Sequence, residues 1–128
     1  MTDPKVISII DDDASVRAAT SNLLRSLGYA VATFVSAEEF LRSGNFNYTS
    51  CVIADVQMPG MSGVDLQARL LSQGHRMPFI FITAFPEKIA RARALKAGAI
   101  CFLTKPFDRL TLIKCIDTAL RSVGGTGE

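Results

Sequence analysis

Three aspartates in a row, Asp11, Asp12 and Asp13, follow one short apolar run, and Asp55 follows another. Asp at the start of a helix is an ordinary cap favoured by the helix dipole, and Asp13 is read that way. Capping does not account for Asp11 and Asp12 once Asp55 stands beside them. Two like charges about 5 Å apart, at an effective dielectric of about 20, repel by roughly 3 kcal/mol, so such a cluster needs positive charge. Lys105, in the run Thr104-Lys105-Pro106 after a further apolar stretch, offers one charge. A divalent cation held by oxygen ligands offers two, and it suits a carboxylate set with no clustered His or Cys. Magnesium, with manganese as a substitute, is the natural ion. Thr83 follows yet another apolar run and adds a hydroxyl.

These residues sit where one fold class would put them on a common rim. Five short runs rich in β-branched or aromatic residues read as strands: Val6 to Ile10, Ala30 to Phe34, Cys51 to Ala54, Phe79 to Ile82 and Ile100 to Leu103. Four show little polar alternation, as parallel strands covered on both faces do, while the second mixes in Thr33 and belongs nearer an edge. Helical spacing links Val16, Ala19, Leu23 and Leu27, with Gly28 placed for a left-handed cap. Ser36 and Glu39 form a capping-box signal for a short second helix closed by Gly44, and a third runs from Val64 through Leu70 to Gly74. Pro86 fits the first turn of a fourth carrying Ile89 and Leu95 on one side, with Gly98 as its stop. A fifth carries Leu110, Ile113, Ile116 and Leu120 and ends before Gly124. Strand then helix, five times with short connections, predicts a doubly wound α/β sandwich with a five-stranded parallel sheet. Ligands of such sheets bind beyond the carboxyl ends of the strands, where these residues lie.

With 128 residues there is room for one domain, and the length suffices for a core without staples. Fourteen basic and twelve acidic residues give a net charge of +2, too weak a bias for nucleic-acid binding over the whole surface. No apolar run approaches the roughly 18 residues of a membrane span, which predicts a soluble, cytoplasmic chain. Cys51, Cys101 and Cys115 are an odd number in apolar surroundings, read as buried thiols of a reducing compartment. His75 stands alone before Met77-Pro78 and reads as a surface residue rather than a ligand. Residues 123 to 128 are Gly-rich and read as a free tail or a truncated linker after a domain spanning residues 1 to 122.

The Asp-Asp pair after the first strand, Asp55 followed by Met-Pro-Gly-Met-Ser-Gly, Thr83-Ala84 and Lys105-Pro106-Phe107 together resemble the receiver domain of bacterial two-component response regulators. The resemblance spans residues 5 to 122. It implies a flavodoxin-like strand order 2-1-3-4-5. The Asp-Asp-Asp run, Ser-Ala-Glu-Glu-Phe-Leu and Lys-Ala-Gly-Ala look most similar to nitrogen-fixation-type regulators, whose receivers usually precede a LuxR-type DNA-binding domain.

On this resemblance Asp55 is the phosphoacceptor for a sensor histidine kinase. Asp12 is a direct magnesium ligand, Asp11 binds mainly through water, and Asp55 and the backbone carbonyl of Gln57 complete the protein's share. Lys105 pairs with Asp55 and then with the phosphoryl group, and a cis bond to Pro106 aims its ammonium inward. Thr83 donates its hydroxyl to the phosphoryl group, coupled to Phe102 at the aromatic switch position. Gln57 and Phe85 flank the site and tune water access. The basic fourth helix, with Lys88, Arg91, Arg93 and Lys96, is either a solvated face or part of a phosphorylation-dependent homodimer surface of helix 4, strand 5 and helix 5.

The resulting function is a switch that catalyses only its own phosphorylation and dephosphorylation, without being an enzyme on an external substrate. Its output would be transcription through a separate or missing DNA-binding domain, with no nucleic acid or membrane bound by this domain itself. A stand-alone receiver acting through protein contacts is the alternative. A haloacid-dehalogenase-like phosphohydrolase needs a second Asp two residues after the nucleophile, and Gln57 stands there. A flavodoxin-like nucleotide binder needs a phosphate-cradling loop after the first strand, where carboxylates stand instead.

Overall fold

In the computed structural model, which describes residues 5–125 and side chains as far as Arg121, five strands alternate with five helices. The strands are β1 (Val6–Ile10), β2 (Ala30–Phe34), β3 (Cys51–Asp55), β4 (Phe79–Thr83) and β5 (Cys101–Thr104). The helices are α1 (Ala14–Ser26), α2 (Ala37–Ser43), α3 (Gly63–Ser72), α4 (Lys88–Lys96) and α5 (Arg109–Gly125), with a 3₁₀ turn at Asn45–Asn47. All strand pairs are parallel, in the order β2-β1-β3-β4-β5. That is the doubly wound architecture the sequence predicts.

Because successive strand residues face opposite ways, one set of apolar positions serves each face. Ile10, Val52, Ala54, Phe79 and Phe81 pack with Phe40 of α2, Leu66 and Leu70 of α3, and Ala94 of α4. Ile7, Ile9, Ile53, Ile80 and Ile82 pack with Leu24 of α1 and with Leu112, Ile116 and Ala119 of α5. The predicted caps also form. Gly28 and Gly44 take positive φ of 93° and 73°, Ser36 Oγ accepts the Glu39 N–H, and Glu39 Oε1 accepts the Val35 N–H.

Several expectations are corrected. β2 is an edge strand as predicted, but β5 is the other edge and is only half-buried, since among the described residues no strand covers its outer side. Asp55 and Thr83 are the last residues of their strands rather than the first beyond them. The buried stripe of α1 is Thr20, Ser21 and Leu24, while Leu27 lies 46% exposed. α4 begins after Pro86 and seats Ala94 against the sheet, leaving Ile89 80% exposed. In α5 the buried positions are Leu112, Cys115, Ile116 and Ala119, and Leu110 is exposed. In α1 and α4 the tightest packing falls on Leu24 and Ala94, which apolar spacing alone does not single out, whereas Ile116 of α5 is buried as its spacing predicts. α5 continues through Gly125, so the proposed tail is helical over its first three residues, and 126–128 lie outside the described residues.

The cysteine reading is half corrected. Cys51 is a buried free thiol, but Cys101 of β5 and Cys115 of α5 are joined as a disulfide with their Cα atoms 6.2 Å apart. The two stand 14 residues apart in sequence, and the turn from β5 into α5 brings them face to face. Among the described residues no helix is long and apolar enough to cross a membrane.

Candidate functional site

The register aligns the ends of the three central strands. Ile10 pairs with Ala54 and Asp55 with Ile82, so Asp11 and Asp55 leave adjacent strands side by side, with Thr83 at the end of β4. All three are almost wholly buried. Each also holds its own loop in the same way. Asp11 Oδ1 accepts the Asp13 N–H at 2.9 Å, Asp55 Oδ1 accepts the Gln57 N–H at 3.0 Å, and Thr83 Oγ1 accepts the Phe85 N–H at 3.1 Å. These side-chain turns order the loops and leave the second oxygen of each carboxylate facing inward.

Lys105 takes up those second oxygens. Its backbone N–H donates to Thr83 O at 2.7 Å, which fixes the residue beside β4, and its peptide bond to Pro106 is cis, as expected. Its Nζ lies 2.9 Å from Asp55 Oδ2 and 3.1 Å from Asp11 Oδ2. Burial works against the Lys105 charge, but the hydrogen bond to Asp55, the close approach of Asp11 and the charges of both outweigh it and raise its pKa. Burial raises the Asp11 pKa and the Asp55 charge adds to this, outweighing the Asp13 N–H and Lys105, which pull it down. One ammonium therefore does not neutralise two buried carboxylates.

The remaining demand for positive charge fits a magnesium ion. Asp11, Asp12 and Asp55 each bring a carboxylate oxygen within 4.8 Å of the others, two from buried residues and one from exposed Asp12. Asp11 Oδ2, although close to the ammonium, makes no hydrogen bond of acceptable geometry and is shut off from solvent. A buried acceptor without a donor is costly. A hard cation with oxygen ligands and retained waters would satisfy it, and among the described residues the cluster holds no soft ligand to favour another metal.

The other predicted residues distribute around this centre. Gln57 extends its side chain away, its Nε2 donating to Phe85 O at 3.4 Å, so the two flanking loops touch across the mouth of the site. The Phe85 side chain itself lies 70% exposed. Phe102 is half-buried two residues back along β5, its ring 6.2 Å from that of Phe81. Since Phe81 pairs with Phe102 and Thr83 with Thr104, Phe102 and Thr83 share a sheet face. Lys88, Arg91, Arg93 and Lys96 are exposed, and Arg93 pairs with Asp65 at 3.3 Å. His75 precedes β4 at the opposite end of the sheet and packs edge-on against Phe46, apart from the carboxylates.

Three contributors escape sequence reasoning. Gly63, which opens α3, has no room for a side chain: a Cβ would collide with the Asp55 carbonyl oxygen and stand 3.1 Å from the Phe81 ring. Read along the chain it is one more turn-forming glycine. Arg17 Nη1 donates to Asp11 O at 2.6 Å, pinning the acidic loop from one turn into α1. Glu38 of α2 reaches the β3–α3 loop, where Oε2 accepts the Met61 N–H at 2.9 Å, and this bond lowers the Glu38 pKa. Nothing in the spacing of Glu38 and Met61 signals that contact.

Comparison with known proteins accounts for this arrangement. The family described as "Response regulator receiver domain" matches residues 7–117. The response regulator protein TodT of Pseudomonas putida is 44% identical over 116 residues, covering 91% of this chain and 51% of TodT. The transcriptional regulatory protein FixJ of Bradyrhizobium diazoefficiens is 36% identical over 121 residues, covering 94% of this chain and 59% of FixJ. The chain thus spans about half the length of the curated relatives it matches. Among solved structures, the response regulator StyR superposes with a TM-score of 0.84 at 41% identity, covering 93% of this chain and 60% of StyR. The structure titled FixJ-N gives a TM-score of 0.82 at 33% identity, covering 94% and 96%. With its paired carboxylates and lysine gathered at the strand ends and the match running through nearly all of the described fold, the chain belongs to the response-regulator receiver family.

Proposed function

We propose that Asp55 is the phosphoacceptor of this receiver. The observation that carries the reading is the placement of Asp55 Oδ2 2.9 Å from Lys105 Nζ, in a buried pocket shared with Asp11 and bordered by Asp12. A carboxylate oxygen of Asp55 attacks the phosphorus of a phosphohistidine on a sensor kinase. A P–O bond forms, the P–N bond breaks, and the departing imidazole nitrogen takes up a proton.

Asp11, Asp12, Asp55 and the backbone carbonyl of Gln57 would hold magnesium, or manganese, whose charge offsets that of the phosphoryl oxygens. Lys105 keeps its ammonium on Asp55 until a phosphoryl oxygen replaces the carboxylate oxygen as its partner. Thr83 Oγ1, which accepts the Phe85 N–H, is free to donate its own proton to the phosphoryl group. Its inward movement would vacate space on the face it shares with Phe102, and the Phe102 ring would fill it by packing alone. Gln57 and Phe85 would set how readily water reaches the aspartyl phosphate.

The chain would therefore catalyse only the making and loss of its own aspartyl phosphate, in the cytoplasm, with a sensor histidine kinase as donor. In a longer protein it would control transcription through a DNA-binding domain, as its likeness to the transcriptional regulatory protein FixJ suggests. Acting alone, it would work through protein contacts. A phosphorylation-dependent homodimer would use α4, β5 and α5, whose exposed basic helix is available for it. On this reading residues 1–122 are the working domain, and neither nucleic acid nor membrane is bound by it.

The test is intact mass after incubation with magnesium and acetyl phosphate. One added phosphoryl group is expected, and none with Asp55→Asn. An adduct that survives the substitution overturns the assignment.

A further inference from the structure

Cys101 opens β5 and is half-buried, while Cys115 lies in the middle of α5 and is 6% exposed. Their Cα separation of 6.2 Å falls in the range a disulfide spans without backbone movement. The bridge closes a loop that contains Phe102, Thr104 and Lys105, the residues joining the edge strand to the phosphoryl pocket. Among the described residues β5 is held by a strand on one side only. A domain of this size also has enough core without staples, so stability alone does not call for the link. In a reducing compartment, paired cysteines are usually transient and redox-sensing rather than structural.

We propose that Cys101 and Cys115 are a thiol–disulfide exchange site for low-molecular-weight disulfides, whose oxidation clamps β5 to α5 across the segment carrying Phe102 and Lys105. Cys101, the more exposed of the two residues, attacks one sulfur of the small disulfide as thiolate and displaces a thiolate. The Cys115 thiolate then attacks the Cys101 sulfur of the mixed disulfide and releases the second thiolate. Two protein thiols lose two protons and two electrons, and the small disulfide becomes two thiols. Cys51 does not compete, because it is buried in β3 and burial pushes its thiol up to about 12. The consequence for signalling rests on the phosphoacceptor reading. The oxidised form restrains the segment that must move if Phe102 is to fill the space left by Thr83.

The test equilibrates the 128-residue chain in glutathione buffers from fully reduced to fully oxidised, followed by acid quench, alkylation and intact mass. Oxidised wild type and Cys51→Ala are expected to lose about 2 Da and leave the paired sulfurs unalkylated, whereas Cys101→Ser and Cys115→Ser never form the bridge. Amide exchange in residues 102–112 should slow about tenfold on oxidation in wild type and not in Cys115→Ser. Alkylation of both Cys101 and Cys115 under fully oxidising conditions, a bridge that uses Cys51, or equal exchange in the two redox states overturns the proposal. Phosphoryl uptake from acetyl phosphate is measured on the same samples. Absence of any adduct in both states refutes the phosphoacceptor reading, while the mass and exchange results still decide the cysteine site.

Discussion

Gly63 lies against the backbone carbonyl of Asp55 so closely that a single added methyl would overlap it, while its own N–H donates to Val56 O at 3.0 Å. The first residue of α3 thus sets how near that helix comes to the end of β3. The position of the candidate nucleophile depends on a residue that has no side chain.

Gly63→Ala should therefore act on the site as well as the fold. Overpacking against backbone costs about 1–3 kcal/mol, because neither chain can give way as a side-chain tip can. Chemical denaturation should show that loss. Phosphoryl uptake at Asp55 should slow even under conditions where the variant is fully folded, and an unchanged rate there would mean that the close approach is only structural.

Asp11→Asn should separate stability from metal affinity. The Asp11 pKa lies above its ordinary value of 3.8, mainly through burial, so the charged form is penalised more in the fold than in the unfolded chain. Wild type without magnesium should therefore gain stability as pH falls through the folded Asp11 pKa. The Asn variant should hold a gain of the same sign already at neutral pH, because it carries no charge to desolvate. Its stabilisation by added magnesium should be weaker than in wild type. Thermal melts with and without magnesium check both halves.

Phe85→Ala removes an exposed ring from the mouth of the site but leaves the backbone carbonyl that accepts from Gln57. If the ring limits the approach of water, the half-life of the aspartyl phosphate should shorten in the variant. The intact-mass decay of the adduct measures it, and an unchanged half-life assigns any control of water to the Gln57 contact instead.

Cys51 gives a pH prediction of its own. Its thiol ionises near 9.0 in ordinary surroundings and near 12 in the fold, because burial disfavours the thiolate. Its contribution is whole below pH 9.0 and is lost as pH rises towards 12, at about 1.4 kcal/mol per unit, since the unfolded chain releases a proton that the fold retains. Comparing wild type with Cys51→Ala by denaturation at two alkaline pH values isolates that slope. At pH 8 iodoacetamide should label Cys51 only after unfolding, because the thiolate is the reactive form.

Much of the site could be read along the chain, for a physical reason. Asp11, Asp55, Thr83 and Lys105 each follow an apolar run, and in a parallel sheet the carboxyl ends of all strands lie on one side, so strand periodicity alone gathers them. Helix faces were less legible. α4 seats Ala94 rather than Ile89, and α1 turns Leu24 inward rather than Leu27, because close approach to a sheet depends on which side chain fits and not only on which is apolar.

The sequence by itself determined the alternation of strands and helices, the caps and the chemical types at the strand ends, all of which are local in origin. Tertiary structure decided what depends on residues far apart in the chain. It set one lysine between two carboxylates while leaving Asp11 Oδ2 without a hydrogen bond. It also brought Glu38 to the Met61 N–H, the bare Cα of Gly63 to Asp55, and Cys101 to Cys115. Such contacts follow from how packed elements pass one another, and no spacing within a single element encodes them.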